Sequence, residues 1–352
     1  MARYKVCGAI AEAIWVGIDL HKVQWHVTIR SEAGELFSGS IPGCWEALRA
    51  LLERYPAREV SVVYEAGYFG YWLYDALTQW GASCRVTPPS LVPQQQGNRV
   101  KTDRRDSRKL SFYLWKGMLK GIWVPGPERR THRDVLRRRQ KLISDRVRVQ
   151  SRVKALLQFY GIRVDGASRK WSQRYVRALR SLTWTDRWQQ QSFGGLLEHY
   201  TFLSEQIKAQ TALVHELAEA PLYAEDLRIL RTLRRVGVLI GMEVLLELPP
   251  MAQFSRSEEL AAYVGLTPAQ YSSGEHIRMG RITGAGRSHL RATLIELAWQ
   301  VIARDPAMRS VYERIKQRAG SKRAIVAVAR RLLLCMRRML LDRQPYHMRQ
   351  AA

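Results

Sequence analysis

Residues 14–87 alternate between short apolar runs and stretches of helical spacing, and that alternation restricts the fold more than any other feature of the chain. Residues 14–20 (IWVGIDL) read as a buried strand and 24–30 (QWHVTIR) as an alternating one. A Glu32-Ala-Gly-Glu35 turn leads to a third strand at 36–41. Residues 59–64 (EVSVVY) and 83–87 supply the fourth and fifth strands, with helical spacing at 45–55 and 69–80 between them. A meander of three strands followed by alternating helix and strand predicts an α/β mixed sheet covered by helices. The first and fourth strands close on acids, Asp19 and Glu65, and ligands of such sheets collect at the carboxyl ends of strands.

Two further acids lie in residues 101–110 (KTDRRDSRKL), where Asp103 and Asp106 are three apart and share one face of a helix. Like charges held that close repel unless a cation or a proton lies between them. Either the flanking Lys101, Arg104, Arg105, Arg108 and Lys109 neutralise the pair in a salt-bridged helix start, or the pair binds metal. With Asp19 and Glu65 the set comprises four carboxylates, enough to hold two hard cations that clamp the oxygens of a phosphodiester.

The charge balance points to a polyanion. Fifty-seven Lys and Arg against 31 Asp and Glu give a net charge of +26. Residues 101–154 carry 18 basic and 5 acidic side chains, half of that excess in under a sixth of the length. Arg dominates over Lys, which suits bidentate contact with phosphate. No apolar run approaches the roughly 20 residues that span a bilayer, and the N-terminus lacks a secretory pattern. Cys7, Cys44, Cys84 and Cys335 have no metal-binding spacing and read as reduced thiols of a cytoplasmic protein.

Helical spacing fills much of the rest. Residues 126–160 and 168–218 read as long helices with near-heptad apolar positions, either a coiled-coil-like arm used for dimerisation or a plain bundle. Residues 227–248 read as two helices broken near Gly237. They form a candidate helix–hairpin–helix in which Arg235 occupies the place of the usual second glycine. A short helix at 258–264 precedes a loop-like stretch, 265–286, with five glycines, and helices at 287–302 and 322–341 close the chain. The loop holds Tyr271-Ser272-Ser273-Gly274, followed by Arg278, Arg281, Arg287, His289 and Arg291. A serine becomes a nucleophile when a base or metal activates it and cations stabilise the developing charge. By composition alone the same residues are ordinary turn formers.

The runs VGIDLHK (16–22), YEAG (64–67) and KTDRRD (101–106) resemble the N-terminal domain of the DEDD insertion-sequence transposases. Residues 254–255 (FS), 262–268 (AYVGLTP), 272–274 (SSG), 280–283 (GRIT), Gly286, 289–291 (HLR) and 324–332 resemble the C-terminal part of the same family. The matched regions span about 14–115 and 227–342. The resemblance implies an RNase H-like (RuvC-like) catalytic domain at 1–118, a helical oligomerisation and nucleic-acid-binding arm at 119–225, and a mainly α-helical transposase domain at 226–352. It implies that Asp19, Glu65, Asp103 and Asp106 bind Mg²⁺ (or Mn²⁺). Ser273, rather than Ser272, would form a covalent phosphoserine link with DNA. Lys101, Arg104, Arg105, Arg108, Arg278, Arg281, Arg287, His289 and Arg291 would contact nucleic acid. Donor and target DNA, a non-coding bridge RNA and further copies of the chain, a dimer assembling into a tetramer with composite sites, are the implied partners. The implied setting is the bacterial or archaeal cytoplasm at the nucleoid. A metal-only nuclease of the Holliday-junction resolvase type and a non-enzymatic basic nucleic-acid-binding protein are the competing readings.

Overall fold

A computed structural model describes residues 11–93, 103–164, 171–270 and 279–347. The chain divides into two compact units, Met1–Val124 and Pro125–Ala352. In the first unit β1 (Ala11–Leu20), β2 (Gln24–Ser31), β3 (Gly34–Pro42), β4 (Ala57–Glu65) and β5 (Ser83–Thr87) form one sheet in the order β3-β2-β1-β4-β5. The first three strands are an antiparallel meander, and β4 and β5 run parallel to β1. Parallel neighbours need a crossover. Here α1 (Trp45–Leu52) leads from β3 to β4, and α2 (Trp72–Gln79) from β4 to β5.

Strand side chains alternate between faces, so each face has its own core. Ile14, Val16, Ile18, Val27, Ile29 and Val62 pack with Leu48 and Leu52 of α1 and Leu73 and Leu77 of α2. Each such side chain contributes roughly 1.5–3 kcal/mol by leaving water. The other face, with Trp15 and Val63, is covered by Leu110, Tyr113 and Leu114 of α3 (Asp103–Trp115). Small residues let α3 approach the sheet. Ser107 and Ser111, four apart and fully buried, lie over Gly17, where an added Cβ would sit 2.2 Å from the Ser107 carbonyl oxygen. Thr28 on β2 shares a 2.8 Å hydrogen bond with the Ser107 hydroxyl, fixing the helix along the strands.

The second unit is almost entirely helical. α4 (Pro127–Phe159) and α6 (Arg187–Glu219) are 33 residues each, with α5 (Gln173–Arg180) between them in sequence. Val153 and Leu157 of α4 pack with Phe193 and Leu197 of α6, and Leu142 and Val149 with Leu203 and Ile207. The two long helices therefore run antiparallel. The apolar spacing of 126–160 and 168–218 had predicted helices in both places. α7 (Pro221–Arg231), α8 (Val238–Glu247), α9 (Ser257–Val264), α10 (Ser288–Ile302), α11 (Pro306–Ala319) and α12 (Ser321–Asp342) share one core, which includes Leu230, Met242, Leu246, Leu294 and Leu332.

Two stretches differ from the sequence reading. Within the stretch read as loop, β6 (Pro268–Gln270) and β7 (Met279–Ile282) pair antiparallel. They are too short for period-2 patterning to register. The stretch 303–320 had no assignment, yet it forms α11, whose N-cap Asp305 accepts from the Met308 amide at 3.0 Å ahead of Pro306.

The turn between α7 and α8 places Arg235 at φ 74°, in the left-handed region where a side chain is strained. Arg235→Gly is expected to stabilise the protein by about 0.5–1 kcal/mol, the relief of strain exceeding the added freedom of the unfolded chain. A thermal melt reads this as a Tm rise of about 1–4 °C. An unchanged or lower Tm would mean that Arg235 makes compensating contacts.

Candidate active site

The register of the sheet brings the acids of the first unit to one end and one face. Ile18 is opposite Tyr64 across the parallel β1–β4 pair, so Asp19 and Glu65 are the next step along two neighbouring strands. Asp19 is two residues beyond Gly17, and Glu65 two beyond Val63, so both are on the face that α3 covers. Asp103 and Asp106 are in the first turn of α3.

Within this arrangement Asp19, His21 and Asp103 gather so that one ligand atom from each lies within 4.8 Å of the others. His21 Nε2 stands 3.3 Å from Asp19 Oδ2 and 3.4 Å from Asp103 Oδ1. Burial holds the Asp19 carboxyl above the usual carboxylate range. The His21 charge opposes that shift, while the negative charges of Asp103 and Asp106 reinforce it. Asp106 is thus within electrostatic reach of Asp19. His26 is opposite Asp19 in the β1–β2 register and bonds the Ser40 hydroxyl at 3.1 Å. Burial and the charges of Arg104 and Arg108 hold its imidazole below the ordinary histidine range, against the opposing charge of Asp103.

The basic residues around the acids have distinct places. Arg104 and Arg105 are exposed on α3, and Arg108 pairs with Glu35 of β3 at 2.5 Å. Lys101 lies outside the described residues, as do Ser272, Ser273 and Arg278. In the second unit Arg281 is exposed on β7. Arg291 donates to the carbonyls of Val264 at 2.9 Å, Ala285 at 2.8 Å and Gly284 at 3.3 Å, tying the β7–α10 turn to the end of α9. Gly286 in that turn has φ 72°, and an added Cβ would meet the Tyr263 carbonyl oxygen at 1.9 Å. Arg287 lies 3.2 Å from Glu247, and His289 Nδ1 lies 2.6 Å from Glu243.

Four residues with marked chemistry were not singled out from the sequence. His21 was visible within VGIDLHK, two positions beyond Asp19. His26 is where a hairpin turning at 21–24 must bring the partner of Asp19. Glu243 and Glu247 are acids four apart in an otherwise apolar helix, a pattern that signals buried, partnered charge.

A family model described as a DEDD transposase of the IS110 type matches residues 16–162. A second, described as the transposase IS116/IS110/IS902 family, matches 227–313. A putative transposase, y4qE, of Sinorhizobium fredii is 30% identical over 337 residues, covering 93% of this chain and 81% of the relative. The chain belongs to the IS110-type DEDD transposase family. The transposase for insertion sequence element IS1533 of Leptospira borgpetersenii is 28% identical over 66% of this chain and 69% of its own. That for IS1111A of Coxiella burnetii is 24% identical over 69% and 67%.

Transposases cut and rejoin DNA, and this chain is such an enzyme. Its mixed sheet followed by a helical region fits an RNase H-like transposase. A DEDD transposase implies a divalent metal, and the donor set at the end of β1 suits one. Two carboxylates and an imidazole converge there, and nearby acids leave negative charge for a cation to neutralise. Among the described residues no helix is long and apolar enough to cross a membrane.

Proposed function

We propose that this transposase breaks and rejoins DNA with the carboxylate site of the mixed sheet and with Ser273 as nucleophile. The convergence of Asp19 and Asp103, from separate elements, is the observation that carries the first part. Asp19, Glu65, Asp103 and Asp106 hold Mg²⁺ or Mn²⁺, which when bound polarises phosphate oxygens and favours ionised hydroxyls. The Ser273 hydroxyl gives up its proton and its oxygen bonds to a DNA phosphorus. The P–O bond to one deoxyribose breaks, and the departing oxygen takes a proton. A free hydroxyl of a second strand then displaces the serine oxygen, restoring a phosphodiester, so no external energy source is required. Ser273 is preferred to Ser272 because it stands directly before Gly274, the position of the nucleophilic serine that the family resemblance implies.

The sequence choice is made by a non-coding bridge RNA that pairs with donor and target DNA, and the protein grips RNA and DNA through backbone and shape. The net charge of +26 supports a polyanion load of that kind. The paired helices α4 and α6 form the arm through which dimers, and from them tetramers, assemble.

The test is a covalent trap. With the cognate RNA, labelled DNA should become linked to the wild-type chain, and Ser273→Ala should lose the adduct and reduce strand exchange by at least about 10³-fold. A Ser273→Ala protein that still yields serine-linked DNA moves the role to Ser272. A wild type that cuts without any adduct establishes the metal-only nuclease reading instead.

A further inference from the structure

A second constellation of charge lies in the helical unit, in a cleft of about 470 Å³ between α4, α8 and the start of α10. That volume is in the range of ligand-binding clefts. At its back are two acids of α8, Glu243 and Glu247, each 4% exposed. In front of Glu247, Arg137 of α4 makes a paired contact, Nε to Oε1 and Nη2 to Oε2, both at 2.7 Å, and Arg287 approaches the same carboxylate at 3.2 Å. In front of Glu243, His289 is held by Nδ1 at 2.6 Å, and Thr293 donates to the other carboxylate oxygen at 3.0 Å.

The layering separates this arrangement from an ordinary buried salt bridge. The acid side chains are 5–6% exposed, while those of Arg137, Arg287 and His289 are 31%, 49% and 55% exposed. Around Glu243 and Glu247 the carboxylates lie behind and the cations in front, the order expected of an anion site. The buried acids draw together positive groups that would otherwise repel, and hold them preorganised at the wall. Lys141 and Arg148 extend the wall along the same face of α4, four and eleven residues beyond Arg137, and Asp145, which also lines it, pairs with Arg148 at 2.6 Å. The hydrogen bond that His289 donates to Glu243 also raises the imidazole above the ordinary histidine range and so favours its charged form, against the opposing effect of burial.

We propose that this cleft seats a phosphodiester of the DNA substrate. Arg137, Arg287 and His289 are the groups that touch it, Lys141 and Arg148 face the neighbouring phosphates along the strand, and Glu243 and Glu247 position the first three. DNA is favoured over RNA because the start of α10 is tied by Arg291 to the turn that follows β7, and in sequence the segment between β6 and β7 carries Ser273. The choice of DNA thus rests on the proposed role of Ser273. The cleft as an anion site does not.

The test is binding without chemistry. Fluorescence anisotropy of the full chain on a labelled DNA duplex, with EDTA present, is followed through a salt titration. Removing Glu247 or Arg137 risks misfolding, so the primary variant, Lys141→Gln with Arg148→Gln, leaves both buried acids their partners; His289→Gln, which takes the cation from Glu243, is read beside a thermal melt that shows it folded. The paired variant should weaken binding about tenfold and lower the log–log salt slope by at least about 1, Arg148 being partly neutralised by Asp145, and His289→Gln should lower it by about 1. A control that removes the same charge outside the cleft, Arg314→Gln with Arg318→Gln on α11, should change the slope less. Equal slopes for cleft and control variants would overturn the proposal. So would a loss confined to an RNA strand of the same sequence, which assigns the cleft to the guide. Because no adduct is measured, failure here and failure of the Ser273 trap are read separately.

Discussion

Replacing Asp19 with asparagine is expected to reduce strand transfer by about 10³-fold while leaving the protein folded and slightly more heat-stable. The two effects have opposite signs for one reason. Asp19 is desolvated at the end of β1 beside Asp103 and Asp106, so its charge is held against its own preference, with His21 giving partial relief. Such a charge weakens the fold and is useful only where a metal or a reacting phosphate requires it. Asparagine keeps the shape, removes the repulsion and cannot supply the anionic ligand. Strand-transfer assays beside thermal melts check both halves. Activity within tenfold of wild type, or a Tm that drops by several degrees, would make Asp19 a structural residue.

Gly17→Ala tests the scaffold of the same site without touching an acid. A Cβ there would lie 2.2 Å from the Ser107 carbonyl oxygen, 2.4 Å from the Ser111 nitrogen and 3.0 Å from Leu110 Cβ. The first two are backbone atoms of α3 and cannot rotate away, so the helix itself has to move off β1. Overpacking of this kind costs about 1–3 kcal/mol. The shift also carries Asp103 away from Asp19 and His21, and a displacement of about 1 Å at a catalytic group lowers rates about 10²-fold. The matched comparison is Gly194→Ala in α6, where an added Cβ meets nothing within 4 Å. That change should stabilise by up to about 1 kcal/mol through helix propensity alone. Chemical denaturation and strand transfer on both variants check the pair. If Gly17→Ala melts and reacts as wild type, α3 is not locked to the sheet by that contact.

The strands and most helices were legible because their signals are local. Five runs with Asp19 and Glu65 at their ends gave the sheet, and apolar spacing gave α4, α6, α10 and α12. Residues 306–319 were missed although Met308, Val311, Tyr312 and Ile315 recur at i, i+3, i+4 and i+7, because that stripe is short and is interleaved with Arg309, Arg314, Lys316 and Arg318. The Asp305-Pro306 start was the better signal. The β6–β7 pair was hidden in glycine-rich sequence, where strands of three and four residues leave no period to read.

By itself the sequence determined the five strands of the sheet and most of the helices in their order, the acids at two strand ends and on one helix, the basic balance and, through its motifs, the family. These depend on the period of a strand, the period of a helix and the types of residue present, which need no knowledge of what lies across the fold. Only the tertiary structure decided that β1 sits between β2 and β4, which aligns Asp19 with His26 on one side and sets it beside Glu65 on the other. Only it brought His21 between Asp19 and Asp103, and placed Glu243 and Glu247 behind His289, Arg137 and Arg287. Those meetings follow from strand order and helix packing. Burial of the apolar faces chooses that packing, and the polar groups at the edges are carried along to positions that no local pattern encodes.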